Sequence, residues 1–166
     1  ILGLQQEGIN YAGFIFIGLM NNNGEPMVIE YNSRMGDPET EVVLPRIESD
    51  FTELMLATAT ENLHQYNLKI SNQTAVTVML VAAGYPGDYA KGHVMTGFEN
   101  TSNSILFHAG TKQNDAGEIV TNGGRILAIT SFGSTVKEAV NNSFVNAEKI
   151  NYEGKYYRKD IGYEFI

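Results

Sequence analysis

Two apolar runs lie near the start of the sequence, GFIFIGLM at residues 13–20 and PMVIEYN at residues 26–32, and the segment NNNGE separates them. Within that segment, Asn23-Gly24 is a dipeptide that tolerates the positive φ angles of a tight hairpin turn. The pattern therefore predicts an antiparallel β-hairpin, and the rest of the fold can be worked out from it.

A short helix is predicted soon after the hairpin. Asp37 can serve as an N-cap, Pro38 suits the first helical position and Glu39 places negative charge in the first turn. The helix should then run over residues 41–46.

A second helix follows closely, with Asp50 as its cap and Glu53 three residues later, as in a capping box. We expect it to end near Leu63. A hairpin and two helices within residues 1–63 cannot easily cover both faces of the hairpin, so we expect this segment to complete a larger sheet.

Strand-like segments predominate after the polar stretch at residues 65–73, and this stretch is the predicted boundary region between two domains. A final helix is predicted at about 135–150, packed on a sheet, where Ser134 or Thr135 can cap and Glu138 completes a Thr-x-x-Glu capping box. The predicted strands of that sheet are 74–83, 93–98, 104–109, 118–122 and 124–131. The predicted fold class is α+β, with one domain at 1–66 and a small antiparallel-sheet domain with a packed helix at 67–166.

Composition narrows the classes of function. The 166 residues carry a formal net charge of -8, which disfavours nucleic acid and anionic membranes because such partners usually require a basic surface. No cysteine is present, so thiol catalysis and thiolate metal sites are excluded and a cytoplasmic location is allowed. The apolar runs are far shorter than the roughly 20 residues that cross a bilayer.

Chemistry is concentrated at the end of the second hairpin strand. Side chains alternate between the faces of a strand, so Glu30 and Asn32 share one face, about 6.5 to 7 Å apart, and Arg34 can continue the row if the chain stays extended. Mg²⁺ prefers oxygen ligands and is usually held by one or two protein groups together with substrate phosphates. A Glu and an Asn two residues apart could therefore hold a metal-nucleotide, while Arg34 could bind a carboxylate or phosphate.

Two other interpretations stay open for these residues. A Glu-x-Asn pattern on a half-exposed strand is also typical of a solvated face. Asp37 and Glu39 could orient an amine of a substrate, or they could act only as a helix cap and a first-turn charge.

The segment VIEYNSRMGDPET, at residues 28–40, closely resembles the signature segment of the phosphoribosylamine-glycine ligase family, also called glycinamide ribonucleotide synthetase, within the ATP-grasp superfamily. Four later segments resemble that family's motifs in the same order: AGYPGDY at 83–89, HAGT at 108–111, TNGGR at 121–125 and RKDIG at 158–162. Glu-x-Asn-x-Arg alone recurs across ATP-grasp ligases, but five motifs in one order are highly specific.

The resemblance implies an ATP-dependent enzyme of purine biosynthesis. Glycine would be phosphorylated to glycyl phosphate and then attacked by 5-phosphoribosylamine, giving glycinamide ribonucleotide, ADP and phosphate. Residues 1–66 would form the C-terminal part of the ATP-grasp domain. We expect the N-terminal domain and the lid domain to be missing from this stretch and the isolated chain to be inactive. The alternatives are another ATP-grasp carboxylate-amine ligase and a non-catalytic binding module.

The resemblance also implies roles for individual residues. Glu30 and Asn32 would bind Mg²⁺ or Mn²⁺ with ATP, and Arg34 would be the catalytic residue that stabilises the glycine carboxylate and the charge developing on it. No carboxylate occurs at residues 13–20, so we expect Glu30 and Asn32 to be the principal metal ligands. The predicted substrate-binding residues are Asp37, Glu39 and Arg125, the last of which would face the substrate phosphate.

Overall fold

A computed structural model describes the whole chain, Ile1–Ile166, which divides into two compact units. Unit 1 comprises Ile1–Thr40 and Ile47–Ile70, and unit 2 comprises Glu41–Arg46 and Ser71–Ile166. No helix combines the length and the apolar character that a membrane span would need. The domain boundary at 66/67 stays a prediction.

Unit 1 begins with a short helix, α1 (Leu2–Gln6), and then forms the predicted hairpin from β1 (Phe16–Asn22) and β2 (Glu25–Asn32). The strands pair antiparallel through a two-residue turn in which Asn23 and Gly24 have φ values of 53° and 95°. Asn21 Oδ1 accepts a hydrogen bond from the Gly24 amide at 2.7 Å. The hairpin prediction is confirmed, and the ladder has an irregularity between Gly18 and Leu19.

The helix predicted at 41–46 is only partly correct. α2 spans Thr40–Val43 and a 3-10 turn follows at Leu44–Arg46. Pro45 has no amide hydrogen, so it cannot donate to the Glu41 carbonyl in the α-helical pattern. The Thr130 hydroxyl donates to that carbonyl instead, at 2.9 Å.

The second predicted helix is α3 (Phe51–Ala59), and its cap is as expected. The Asp50 carboxylate accepts a hydrogen bond from the Glu53 amide at 2.9 Å. The helix ends four residues earlier than Leu63, which instead begins a 3-10 turn at Leu63–Gln65. Thr58 and Thr60 donate their hydroxyls to carbonyls of the preceding turn, a pattern that competes with helix propagation.

Unit 2 is built on a four-stranded antiparallel sheet with the order β4-β7-β3-β8. A separate antiparallel pair is formed by β5 and β6. The strands are β3 (Thr74–Ala82), β4 (Ser104–His108), β5 (Thr111–Gln113), β6 (Ile119–Thr121), β7 (Arg125–Gly133) and β8 (Lys155–Tyr156).

The predicted strand at 93–98 is wrong. This segment makes only isolated bridges, Val94 with Val120 and Thr96 with Asn151, before a 3-10 turn at Phe98–Asn100. Gly97 has φ 90°, and a Cβ at that position would lie 2.0 Å from the Lys149 carbonyl oxygen. The left-handed glycine ends the extended chain. The short strands β5 and β8 were not predicted.

The last helix, α4 (Val136–Lys149), packs on β3 and β7 as expected. Thr135 caps it by accepting a hydrogen bond from the Glu138 amide at 3.2 Å. A third 3-10 turn of unit 2 lies at Tyr163–Phe165. The core of the unit lies between α4 and the sheet. Its buried apolar residues include Val78, Leu80, Ile126, Leu127, Ile129, Ala147 and Ile150.

Candidate functional site

The hairpin register places Glu30 and Asn32 on one face of unit 1. Gly18 pairs with Glu30 and Phe16 pairs with Asn32, so these four residues point to the same side. A Cβ on Gly18 would lie 3.1 Å from Cγ of Glu30, closer than ordinary van der Waals contact. Glycine at position 18 therefore leaves the space that the exposed Glu30 side chain occupies.

The Asn32 side chain has an unused hydrogen-bonding capacity. Its Nδ2 is buried and has no hydrogen-bond partner. An unpaired buried polar group costs about 1–3 kcal/mol, and a side-chain amide can turn to exchange its nitrogen and oxygen. Turned in this way, Asn32 would place its amide oxygen at the buried position where Nδ2 has no hydrogen-bond partner.

A divalent metal fits this pair of side chains. Glu30 can supply two carboxylate oxygens and Asn32 one amide oxygen, which suits a hard cation such as Mg²⁺. Phosphate oxygens and water normally complete such a coordination shell. Glu30 is exposed, so its carboxylate is accessible to a metal-nucleotide arriving from solvent.

Arg34 lies just beyond β2 and is exposed, and the chain bends at Ser33 and Arg34, so the alternation of β2 does not extend to Arg34. Its Nη1 donates to the carbonyl of Met35 at 2.9 Å, which is a local contact within the same loop. A guanidinium has five N–H donors, so the others can bind a carboxylate or phosphate at the surface.

The Glu39 carboxylate lies close to Phe16, in space that Gly36 leaves free because it has no side chain. A Cβ on Gly36 would lie 2.4 Å from Oε2 of Glu39 and 2.7 Å from Cε2 of Phe16. Gly36 is buried, and its carbonyl accepts hydrogen bonds from both the amide and the hydroxyl of Thr40. Because Phe16 pairs with Asn32, this turn brings the Glu39 carboxylate to the end of the hairpin where Asn32 lies.

The turn also corrects the helix-cap interpretation of Asp37. α2 begins at Thr40, three residues after Asp37, so Asp37 is not at the N-cap position and Pro38 is not the first helical residue. The hydrogen bond from the Thr40 amide to the Gly36 carbonyl closes residues 36–40 as a turn. A substrate role for Asp37 and Glu39 stays a prediction.

Arg125 begins β7 in unit 2 and is half-buried. Its carbonyl accepts a hydrogen bond from the Gly110 amide at 2.8 Å. A Cβ on Gly110 would lie 2.7 Å from Cα of Gly123, and one on Gly124 would lie 2.2 Å from the Tyr85 ring. The segments 83–89, 108–111 and 121–125 therefore meet at one end of the sheet, beside Arg125.

Sequence reasoning missed the residues that support these side chains. Phe16, Gly18 and Gly36 carry no chemistry of their own, yet they shape the space around Glu30, Asn32 and Glu39. A signal for two of them was present, because alternate residues of β1 must share the face of Glu30 once the strands pair. Gly36 gave no comparable signal.

Comparison with known proteins gives two family matches. Residues 75–164 match the family described as phosphoribosylglycinamide synthetase, C domain, and residues 1–40 match the ATP-grasp (A) domain of the same synthetase.

Curated relatives carry related names. A phosphoribosylamine-glycine ligase of Pasteurella multocida is 43% identical over 166 residues, which are 99% of this chain and 38% of the relative. A bifunctional purine biosynthetic protein purD of Dictyostelium discoideum is 44% identical over 98% of this chain and 21% of its own length. The chain thus spans well under half of these relatives.

A solved structure is also similar. The crystal structure of the phosphoribosylamine-glycine ligase of Thermotoga maritima has a TM-score of 0.77 and 37% identity, and the match covers 96% of this chain and 39% of that one. The α+β architecture with antiparallel sheets is therefore shared with that protein, as the sequence predicted.

Proposed function

Since the chain belongs to the phosphoribosylglycinamide synthetase family, we propose that it is the C-terminal portion of an ATP-dependent ligase that joins glycine to 5-phosphoribosylamine. The products would be glycinamide ribonucleotide, ADP and phosphate. The observation that supports this proposal best is the end of the hairpin, where Glu30 and Asn32 share one face and the Glu39 carboxylate lies close to Phe16.

The proposed reaction requires the protein to position the substrates and to stabilise negative charge on the phosphates and on the glycine carboxylate. It does not require a nucleophile from the protein. Mg²⁺ or Mn²⁺ bound with ATP would supply neutralisation of the phosphate charge during transfer. Glu30 and Asn32 would hold that ion at the strand end. Arg34 binds the carboxylate of glycine and stabilises the negative charge that develops on it as glycyl phosphate forms.

The acidic residues of the 36–40 turn serve the amines in this proposal. Glu39 can lie at the hairpin end because Gly36 has no side chain to block it, and its carboxylate accepts a hydrogen bond from the ammonium of glycine. Asp37 lies in the same turn and orients the second amine. Arg125, in unit 2, binds the phosphate of 5-phosphoribosylamine.

The rest of the ligase would lie outside this chain. We propose that an N-terminal domain and a lid domain of the same polypeptide supply the adenine contacts, with a cytoplasmic location and no nucleic-acid partner. Residues 1–66 are proposed as the ATP-grasp portion and 67–166 as the C-terminal domain. The isolated 166 residues should release ADP only at the background rate, and measurable ligation by them would contradict this division of labour.

The deciding experiment is an assay of ADP release by the complete polypeptide with glycine and 5-phosphoribosylamine. Glu30→Ala and Asn32→Ala should each reduce turnover by about 100-fold or more, because each removes an oxygen that positions the metal-nucleotide. Glu25→Ala is the matched control, since Glu25 is an exposed glutamate at the other end of the same strand.

Glu30→Ala should keep the wild-type free energy of unfolding, because Glu30 is exposed. Asn32→Ala should not lower it, because the buried Nδ2 that it removes has no hydrogen-bond partner. Near-normal turnover in both Glu30→Ala and Asn32→Ala would mean that these two residues belong only to a solvated strand face. ADP release that depends on an amine other than 5-phosphoribosylamine would identify a different carboxylate-amine ligase.

A further inference from the structure

Tyr11 ties the chain before β1 to the chain after β2. Its hydroxyl oxygen lies 2.7 Å from the carbonyl oxygen of Phe14 and 3.0 Å from that of Ser33. The single hydroxyl hydrogen is shared between these two acceptors. Ser33 is 22 residues away in sequence, so this is a tertiary contact and not a local turn.

Ser33 stands between two residues of the proposed site. The β ladder ends at Asn32, whose partner is Phe16, so the ladder fixes Asn32 but not the residues that follow. The only side-chain hydrogen bond of Arg34 is to Met35, its neighbour. The Tyr11 hydroxyl is thus the group that anchors the start of this loop to another part of unit 1.

Gly13 allows Tyr11 to reach that position. A Cβ on Gly13 would lie 2.7 Å from Oη and 3.1 Å from Cζ of Tyr11, so the phenol rests directly on the glycine backbone. Any larger residue at position 13 would have to push the phenol away from the Ser33 carbonyl.

We infer that Tyr11 is a positioning residue: its hydroxyl holds the Ser33 carbonyl and thereby fixes the bend after Asn32 from which the Arg34 side chain projects. The inference rests on the proposed function, because the role of Arg34 in binding the glycine carboxylate comes from there. Tyr11 itself has no contact with substrate in this scheme and acts only through Arg34.

Tyr11→Phe tests the inference because it deletes the hydroxyl and keeps the ring. Tyr66→Phe is the matched control, since the Tyr66 hydroxyl donates to the Asp50 carbonyl at 2.6 Å elsewhere in unit 1. In the complete polypeptide, Tyr11→Phe should raise the KM for glycine and lower kcat/KM by about tenfold, the effect of one lost hydrogen bond. Tyr66→Phe should change neither.

A double variant separates positioning from a general loss of structure. If Tyr11 acts through Arg34, then Tyr11→Phe should cause no further loss of kcat/KM in an Arg34→Ala background. An additive loss of a further tenfold would overturn the inference.

Hydrogen-deuterium exchange gives a readout that does not depend on turnover. Tyr11→Phe should speed exchange of the peptide covering residues 33–36 by up to about tenfold, and Tyr66→Phe should leave it unchanged. Unchanged exchange in Tyr11→Phe would overturn the inference whatever the activity. If the wild type released no glycine-dependent ADP, the proposed function would fail, and the exchange result would still decide whether Tyr11 anchors the loop.

Discussion

The two units of this chain differ in how they use apolar residues. Unit 2 has a core of fully buried side chains, whereas unit 1 buries only Gly36 and Leu54. Unit 1 is nonetheless rich in apolar residues: Ile17, Leu19, Met20 and Ile29 are each about half exposed or more. Both units contain well-formed antiparallel strands, so regular secondary structure alone does not tell which of them is stable by itself.

Local sequence patterns can specify a strand or a turn in a segment that has no buried core. The β1–β2 hairpin follows from its alternation and its Asn-Gly turn, which need no core. A hairpin without a packed face is at best marginally stable in water. The stability measured for the isolated chain should therefore come from unit 2, while the proposed metal and carboxylate site is carried by unit 1.

The largest expected effect is a matched pair of leucine truncations. Leu80→Ala should destabilise unit 2 by about 2–5 kcal/mol, because Leu80 is fully buried and its loss leaves a cavity. Leu19→Ala should change the free energy of unfolding by at most about 0.5 kcal/mol, since Leu19 is 55% exposed.

Urea denaturation, monitored by hydrogen exchange in each unit, measures the change in unfolding free energy for both variants. Equal costs for the two substitutions would erase the contrast between the units and would mean that the hairpin has a packed face in solution.

Much of this fold could be predicted because the decisive signals are local. The Asn23-Gly24 turn, the Asp50 and Thr135 caps and the long strands all follow from residues near one another in sequence. The errors also have local causes. Pro45 interrupts the helix that begins at Thr40, and Gly97 ends the extended segment for which a strand is predicted.

The candidate site could be predicted only in part. Alternation along β2 places Glu30 and Asn32 together, and pairing with β1 confirms that they share a face. The approach of Glu39 to Phe16, 23 positions earlier in the chain, depends on the missing side chain of Gly36. No sequence period reports such a contact, because it is a matter of shape and not of hydrophobicity.

Gly36→Ala should give the next largest effect, and it falls on unit 1. The new methyl group would meet the Glu39 carboxylate and the Phe16 ring within 3 Å, so one of them must move. We expect a loss of about 1–3 kcal/mol in the local stability of unit 1 and a rise in the KM for glycine in the complete polypeptide.

Gly3→Ala is the control, because a Cβ there meets nothing within 4 Å and alanine favours the helix α1. Hydrogen exchange at residues 36–40 and steady-state kinetics would measure the contrast. A Gly36→Ala variant that behaves like Gly3→Ala would show that Glu39 is not held against the hairpin.

The smallest effect is a pH dependence confined to unit 2. Hydrogen bonds from the Ser134 hydroxyl, at 2.6 Å, and from the Ser134 amide, at 2.7 Å, lower the pKa of the Glu138 carboxyl below its ordinary value of 4.5. A carboxyl whose pKa is lower in the folded state stabilises the fold above its unfolded-state pKa, and this contribution is lost as the pH falls through the folded-state pKa. Glu138→Gln should therefore flatten the decline in unfolding free energy of unit 2 below pH about 4.5 relative to the wild type.

Ser134→Ala should flatten the same decline only partly, because the Ser134 amide remains to donate to Glu138. Urea denaturation between pH 6 and pH 3 checks this order, with the exchange of residues 36–40 in unit 1 as the internal reference. If the reference segment followed the Glu138 variants as closely as unit 2 does, the two units would unfold as one, and the contrast between a self-sufficient unit 2 and a dependent unit 1 would have to be abandoned.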